Sequence, residues 1–215
     1  MELERVDTKR AYERIREQIT TLQLPPGSPI NAQRLADDLD MGLVPVREAL
    51  KLLAHDNLVV ITPRHGLYVA DVNAPDLEQL SEMRLTLEGL SARLAAQRAT
   101  DDDIVVLQAL RLEQASTPAE DSRRLFDLDH KFHQAVAQAA HNKYLSDSLE
   151  RLFGLSQRLW YLALPNIGFL PSSVEIHLQL VEAIERQDAD QAEQIMRKHV
   201  VEFYTQVRET LTALE

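Results

Sequence analysis

Apolar residues recur at helical spacing along nearly the whole chain, with one short β-type pattern near residue 60. Ala11, Ile15, Ile19 and Leu22 fall on one face and predict a helix over 8–22. Leu24-Pro25-Pro26-Gly27-Ser28-Pro29 then forbids helix and marks a fixed turn. A short helix over 31–39 is expected next, opened by Asn31 as N-cap and turning Leu35, Ala36 and Leu39 inward. After Asp40-Met41-Gly42, a third helix over 44–55 would bury Val46, Ala49, Leu50 and Leu53. Two β-branched runs, 58–62 and 67–70, flank Pro63-Arg64-His65-Gly66 and read as a hairpin. Three short helices followed by a hairpin outline a winged helix-turn-helix. Its helix pair would be 31–39 and 44–55, the second being the recognition helix.

Val72-Asn73-Ala74-Pro75 reads as a linker. Beyond it no strand pattern occurs, and helical periodicity covers 76–98, 101–115, 120–140, 142–163, 173–187 and 188–213. Thr100-Asp101-Asp102-Asp103 has the composition of a capped helix start, and Leu164-Pro165-Asn166-Ile167-Gly168 that of a break, with Pro171 just beyond. Six antiparallel helices make a bundle. The expected fold is therefore mainly α. A winged helix-turn-helix with a small β-hairpin occupies 1–72, and a six-helix antiparallel bundle occupies 76–215, with no internal repeat.

Composition narrows the function classes. At 215 residues, 45% hydrophobic and 27% charged, the chain has ordinary material for one or two packed domains. No apolar run approaches the roughly 18 residues that span a bilayer. Residues 1–10 alternate charges without an apolar segment, so neither a membrane partner nor secretion is expected, and the protein should stay in the cytoplasm. Cysteine is absent, which removes disulfides, thiol nucleophiles and thiolate metal sites together. The net charge of −11 is uneven: residues 1–70 carry −1 and residues 71–215 carry −10. A near-neutral first part can still offer a local basic face to phosphates, so the acidity does not exclude DNA binding.

Three of the seven histidines lie on apolar helical stripes. His133 follows Asp129 by four residues, so the two share one face, with Leu125, Phe132 and Val136. His177 shares a stripe with Leu180, Val181 and Ile184, and His199 lies among Ile195, Val200, Phe203 and Val207. Each group needs a buried partner, because an unpaired buried polar group costs several kcal/mol. Either a hydrogen-bonded polar core or one divalent cation held by Asp129, His133, His177 and His199 would meet that need. With no cysteine, such a site suits zinc first, with nickel, manganese or iron as alternatives.

The stretch Leu24-Pro25-Pro26-Gly27-Ser28, Leu35-Ala36-Asp37-Asp38-Leu39, Pro45-Val46-Arg47-Glu48-Ala49-Leu50 and Pro63-Arg64-His65-Gly66-Leu67-Tyr68-Val69 closely resembles the DNA-binding domain of the GntR family of transcription regulators. The second half resembles the all-helical FCD domain of the FadR subgroup through Asp129-x-x-Phe132-His133, Asn142, His177 and the run from Asp188 to His199. The resemblance implies that the four Asp/His stripes converge on a divalent metal within the bundle. It also implies a small organic or sugar acid as effector and a homodimer on a palindromic operator in double-stranded DNA. Arg84 matches a position where relatives direct an arginine at the pocket. It would pair an effector carboxylate, or else form an i,i+4 pair with Glu88.

On the DNA side the resemblance points to Arg34, Arg47, Lys51 and the wing residues Arg64, His65 and Gly66. Arg47 is the best single contact, its alternative being a salt bridge to Glu48 or Asp38. Arg64 and His65 would approach the backbone or minor groove, or else remain solvated turn residues, and Lys51 is first an exposed helix charge and second a phosphate contact. The chain departs from the family where Ser-Arg-Thr usually precedes Pro-Val-Arg-Glu: here stands Gly42-Leu43-Val44. Gln33 likewise replaces a common arginine, with Arg34 one position later. The operator or the DNA affinity should therefore differ from that of relatives. Three functions follow in order: a regulator controlled by a metal-bound carboxylate, a metal-dependent hydrolase whose winged domain would be idle, and a regulator that senses the metal itself.

Overall fold

A computed structural model describes residues 2–167 and 171–212. The chain forms two compact units, one drawn from residues 1–73 and 154–162, the other from 74–153 and 163–215.

In the first unit, α1 (Glu2–Thr20) presents Ala11, Ile15 and Ile19, all fully buried. The helix stops before Leu22, which has a left-handed φ of 61°, so Leu22 ends the helical face rather than extending it. The short helix α2 (Ala32–Leu39) begins as its sequence dictates, Asn31 accepting from the backbone N–H of Arg34 at 3.0 Å. It buries Leu35, Ala36 and Leu39. Helix α3 (Leu43–His55) buries Val46, Ala49, Leu50 and Leu53 on its apolar stripe. Its N-cap, Gly42, has no side chain to satisfy the first-turn N–H groups. Two strands follow, β2 (Val59–Thr62) and β3 (Gly66–Val69), paired antiparallel with Val59 opposite Val69 and Thr62 opposite Gly66.

The sheet has a third strand that the hydrophobic pattern does not announce: β1 (Pro29–Ile30) pairs with the other edge of β3, giving the order β1-β3-β2. Two residues are too few to show an alternation. The turn before β1 is pinned to β3 instead, with Gly27 N–H donating to Val69 at 3.0 Å and Val69 N–H donating to Ser28 at 2.9 Å. Gly27 has φ 73°, a backbone angle that favours glycine, and a Cβ there would lie 2.8 Å from Asp71 Oδ1, so the Asp71 side chain would have to shift. One apolar core joins all three helices and the sheet, from Ala11 and Ile15 through Leu50 and Leu53 to Leu58, Val59 and Val69. Each large aliphatic chain buried there contributes about 1.5–3 kcal/mol.

Among its described residues the regular elements of the second unit are all helices: α4 (Ala74–Arg98), α5 (Asp101–Ser116), α6 (Ser122–Ala139), α7 (Lys143–Ile167), α8 (Pro171–Glu185) and α9 (Ala189–Thr212). Residues 154–162 of α7 cluster with the first unit. Helix α4 runs along α9 and also touches α6 and α8, while α5 packs on α6 and α8. Thr100 and Asp103 form a reciprocal capping box at the start of α5, and Asp121 caps α6. Helix α4 begins at Ala74, inside the expected linker. The expected break after 163 comes later, because the backbone stays helical through Pro165 to Ile167. A proline near a helix end forfeits one backbone hydrogen bond and is tolerated there better than in the middle. Gly168 lies outside the described residues. Helix α8 opens on Pro171, where a missing N–H costs nothing. No helix among the described residues is long and apolar enough to cross a membrane.

Candidate functional site

Helices α6, α8 and α9 bring Asp129, His133, His177 and His199 together in the second unit. One donor atom from each lies within 4.8 Å of all the others. The three imidazoles turn the same nitrogen inward: His133 Nε2 is 3.0 Å from His199 Nε2, and His177 Nε2 is 3.3 Å from it. Asp129 completes the group, with Oδ2 3.7 Å from His133 Nε2 and Oδ1 3.5 and 3.8 Å from those of His177 and His199. Donors held at about 2.0–2.2 Å from a single ion are necessarily roughly 3–4 Å from one another. These five separations, 3.0 to 3.8 Å, fall in that range.

The donor set itself argues for a cation. The far nitrogens of two rings are committed: His177 Nδ1–H donates to Gln114 Oε1 at 2.8 Å, and His133 Nδ1 is hydrogen-bonded to Glu88. Nδ1 bonds of this kind leave the Nε2 lone pairs facing one point. Lone pairs 3 Å apart repel unless a proton or a metal lies between them. Asp129 Oδ1 is buried and has no hydrogen-bond partner among the described residues. A divalent ion would satisfy all four groups at once, so the residues fit the metal that the resemblance implies.

Burial controls the titration of the cluster. It pushes His177 well below the ordinary imidazole value, helped by repulsion from His199 and His133, and it lowers His199 to about 3, with His133 adding to the effect. Both rings are therefore neutral near pH 7, as ligation requires. Burial raises Asp129. It would lower His133 too, but the charges of Glu88 and Asp129 and the hydrogen bond to Glu88 together outweigh it, and the net shift is upward. Glu88 reverses the usual effect of burial, since the charges of Arg84 and His133 bring it down to about 2.

Arg84 is buried on α4 one turn before Glu88, and its Nε donates to Glu88 Oε1 at 2.5 Å. Its guanidinium lies 5.1 Å from the Phe153 ring centre, 5.5 Å from Phe203 and 5.6 Å from Tyr204. The sequence alternative of an i,i+4 pair with Glu88 is thus formed in the structure. Phe132 stacks on His177 with ring centres 4.0 Å apart. Glu88 and Gln114 were not among the expected site residues. Each carried a faint signal: Glu88 stands four residues after Arg84, and Gln114 shares a stripe with Leu107, the other fully buried residue of α5.

In the first unit, Arg47 and Lys51 lie exposed on α3. Lys51 pairs with Glu48 at 2.7 Å, and Arg34 lies 3.7 Å from Asp38. The two carboxylates considered as partners for Arg47 are therefore engaged elsewhere. Of the substituted pair before Pro45, Leu43 packs against the core while Val44 is 59% exposed on the face that carries Arg47. Gln33 donates to Asp37 at 2.9 Å. At the wing tip, Arg64, His65 and Gly66 are exposed. His65 N–H donates to Thr62 at 3.1 Å to close the turn, and Gly66 takes φ 110°, a region closed to other residues. Of the remaining histidines, His141 pairs with Asp103 at 2.8 Å, and His130 lies edge-on to Phe153.

A winged helix-turn-helix followed by a helical domain with a buried polar centre defines a DNA-binding transcription regulator with a ligand-binding half. Residues 7–69 match the gntR family of bacterial regulatory proteins, and residues 79–202 match the FCD domain. The chain belongs to the GntR family and carries an FCD domain. It is 27% identical over 202 residues to the HTH-type transcriptional repressor RspR of Escherichia coli K12, covering 94% of this chain and 89% of that one. It is 28% identical over 186 residues to the Nta operon transcriptional regulator of Aminobacter aminovorans, covering 86% and 87%. The solved structure of E. coli McbR/YncC shares the fold at a TM-score of 0.78 and 21% identity, covering 93% of this chain and 98% of that one. These relatives are regulators and not enzymes, and the idle-wing hydrolase reading falls with that finding.

Proposed function

We propose that this regulator's hold on its operator is controlled by a small carboxylate effector bound with a divalent ion, zinc first, at Asp129, His133, His177 and His199. The observation that carries the reading is the convergence of three inward imidazole nitrogens and a carboxylate. Four protein donors leave room at a five- or six-coordinate ion for an anionic oxygen ligand. Arg84 supplies the positive charge near that position, since its field acts on Asp129 and His199. Its guanidinium, which is also hydrogen-bonded to Tyr204, would receive the carboxylate. Ser91 Oγ, one turn beyond Glu88 on α4, and Gln114 Nε2 are buried without a hydrogen-bond partner among the described residues, which suits a ligand rich in oxygen.

The DNA half acts as a homodimer on a palindromic operator in the cytoplasm, because two symmetric half-sites require two recognition helices. Arg47 reads base edges from α3. Arg34 and Lys51 contact phosphates, and Arg64, His65 and Gly66 bring the wing to the backbone or minor groove. Effector binding changes DNA affinity only if the two arrangements of the dimer bind it unequally.

Thermal-shift measurements across organic and sugar acids, with and without chelator, test the reading. One acid or more should stabilise the metal-loaded protein and leave the chelated protein unmoved. Equal stabilisation of both forms would remove the ion from the effector site. A second reading, that the ion is itself the signal, rests on the same four donors. Titrating metal alone into chelated protein while following DNA binding separates the two.

A further inference from the structure

We propose that Glu88 is a positioning residue for the metal centre, fixing the His133 ring so that Nε2 faces the ion, with Gln114 doing the same for His177. The inference rests on the metal reading above. Glu88 is on α4, 45 positions from His133, and accepts from Nδ1 on the side of the ring away from the converging donors. It is therefore one imidazole removed from the ion and is not itself a ligand. Its second oxygen accepts from Arg84 Nε at 2.5 Å, and both partners are buried, so a charged carboxylate is kept in the interior by a dedicated cation. Gln114 occupies the matching place on α5, its Oε1 2.8 Å from His177 Nδ1. A ligating imidazole has two nitrogens and presents the unprotonated one, so the partner of Nδ1 decides which nitrogen faces the metal. A carboxylate at Nδ1 also increases the basicity of Nε2, which an amide does less. Two of the three rings thus have an outer partner of known chemistry, and α4 and α5, which supply no ligand, are drawn into the centre.

The test compares zinc affinity by competition with a chromophoric chelator in the wild-type protein and in Glu88→Gln, Glu88→Leu and Gln114→Leu. Nitrogen-15 spectra of the zinc-loaded, histidine-labelled proteins give a second readout. Wild type should show His133 with Nδ1–H and a zinc-bound Nε2. Glu88→Leu should bind zinc roughly 10- to 100-fold more weakly, with Glu88→Gln between the two, and should lose the single Nδ1–H pattern of His133. Gln114→Leu should weaken zinc binding and alter His177 alone. Should Glu88→Leu fail to fold because Arg84 is left unpaired, the double variant Arg84→Met, Glu88→Leu removes both charges and takes its place. Affinities within about threefold of wild type, with unchanged histidine spectra, overturn the inference and leave the metal reading standing. A wild-type protein that binds no zinc, nickel, manganese or iron overturns both.

Discussion

Replacing His199 by methionine should make the metal-free protein less sensitive to acid. An imidazole in the unfolded chain titrates near 6.5, whereas burial, reinforced by His133, holds the folded His199 at about 3. As pH falls below 6.5 the unfolded state takes up a proton that the folded state refuses. Stability therefore declines at about 1.4 kcal/mol per pH unit, and the loss from pH 7 to pH 5 is about 2 kcal/mol. Against a typical total of about 5–15 kcal/mol, that loss is easily measured. His177, also depressed, acts in the same direction. His133 and Asp129 are shifted upward, so the folded state protonates them first and they oppose the decline. The difference between wild type and His199→Met reports His199 together with the repulsion it exerts on His177. Methionine is chosen because it is flexible, apolar and able to fill the gap. Urea unfolding in the presence of chelator, followed by circular dichroism at both pH values, gives the number. Wild type should lose about 2 kcal/mol more than the variant between pH 7 and pH 5. Equal losses to within about 0.5 kcal/mol would refute the claim that His199 is held neutral by burial.

Other consequences concern the DNA half. Arg47→Ala should weaken binding to the native operator about 10-fold or more and relax sequence preference, as loss of a base-edge contact does. Lys51→Ala should weaken all DNA sequences alike and reduce the slope of log affinity against log salt by about one. Anisotropy titrations at several salt concentrations distinguish the two patterns, and a uniform effect of Arg47→Ala would demote it to a phosphate contact. Replacing single operator thymines by uracil should reduce affinity at one half-site position, where the exposed Val44 meets a methyl group, and Val44→Ala should abolish that difference. Gly66→Ala meets no neighbour within 4 Å but is forced to φ 110°, so it should cost about 1–3 kcal/mol in urea unfolding. A neutral result would mean that the wing turn relaxes freely.

Most of the helices were legible from residue spacing because each buries one stripe: Ala11, Ile15 and Ile19 in α1, or Leu125, Phe132 and Val136 in α6, all reach the interior as spaced. Caps were legible wherever a side chain makes the bond, as at Asn31 and Thr100. What escaped depends on contacts between distant parts of the chain. Strand β1 exists because β3 offers a free edge, not because Pro29 and Ile30 favour a strand. In the centre, the helical spacing put Asp129 and His133 on one face, but their meeting with His177 and His199 came from the family resemblance, since periodicity fixes a face and not its partner. Glu88 was visible only as half of a pair with Arg84, and its bond to His133 crosses from α4 to α6. At the start of α3, sequence alone could not divide Leu43 from Val44; packing turns the first into the core and leaves the second outside.

The central claim, that metal and effector together control DNA binding, is tested most directly on a DNA fragment carrying the regulator's own promoter. Its affinity would be measured with metal-loaded wild type, chelated wild type and His177→Ala, each with and without the acid found by thermal shift. The acid should change DNA affinity in loaded wild type alone. A change of equal size in the chelated protein or in His177→Ala would contradict the claim.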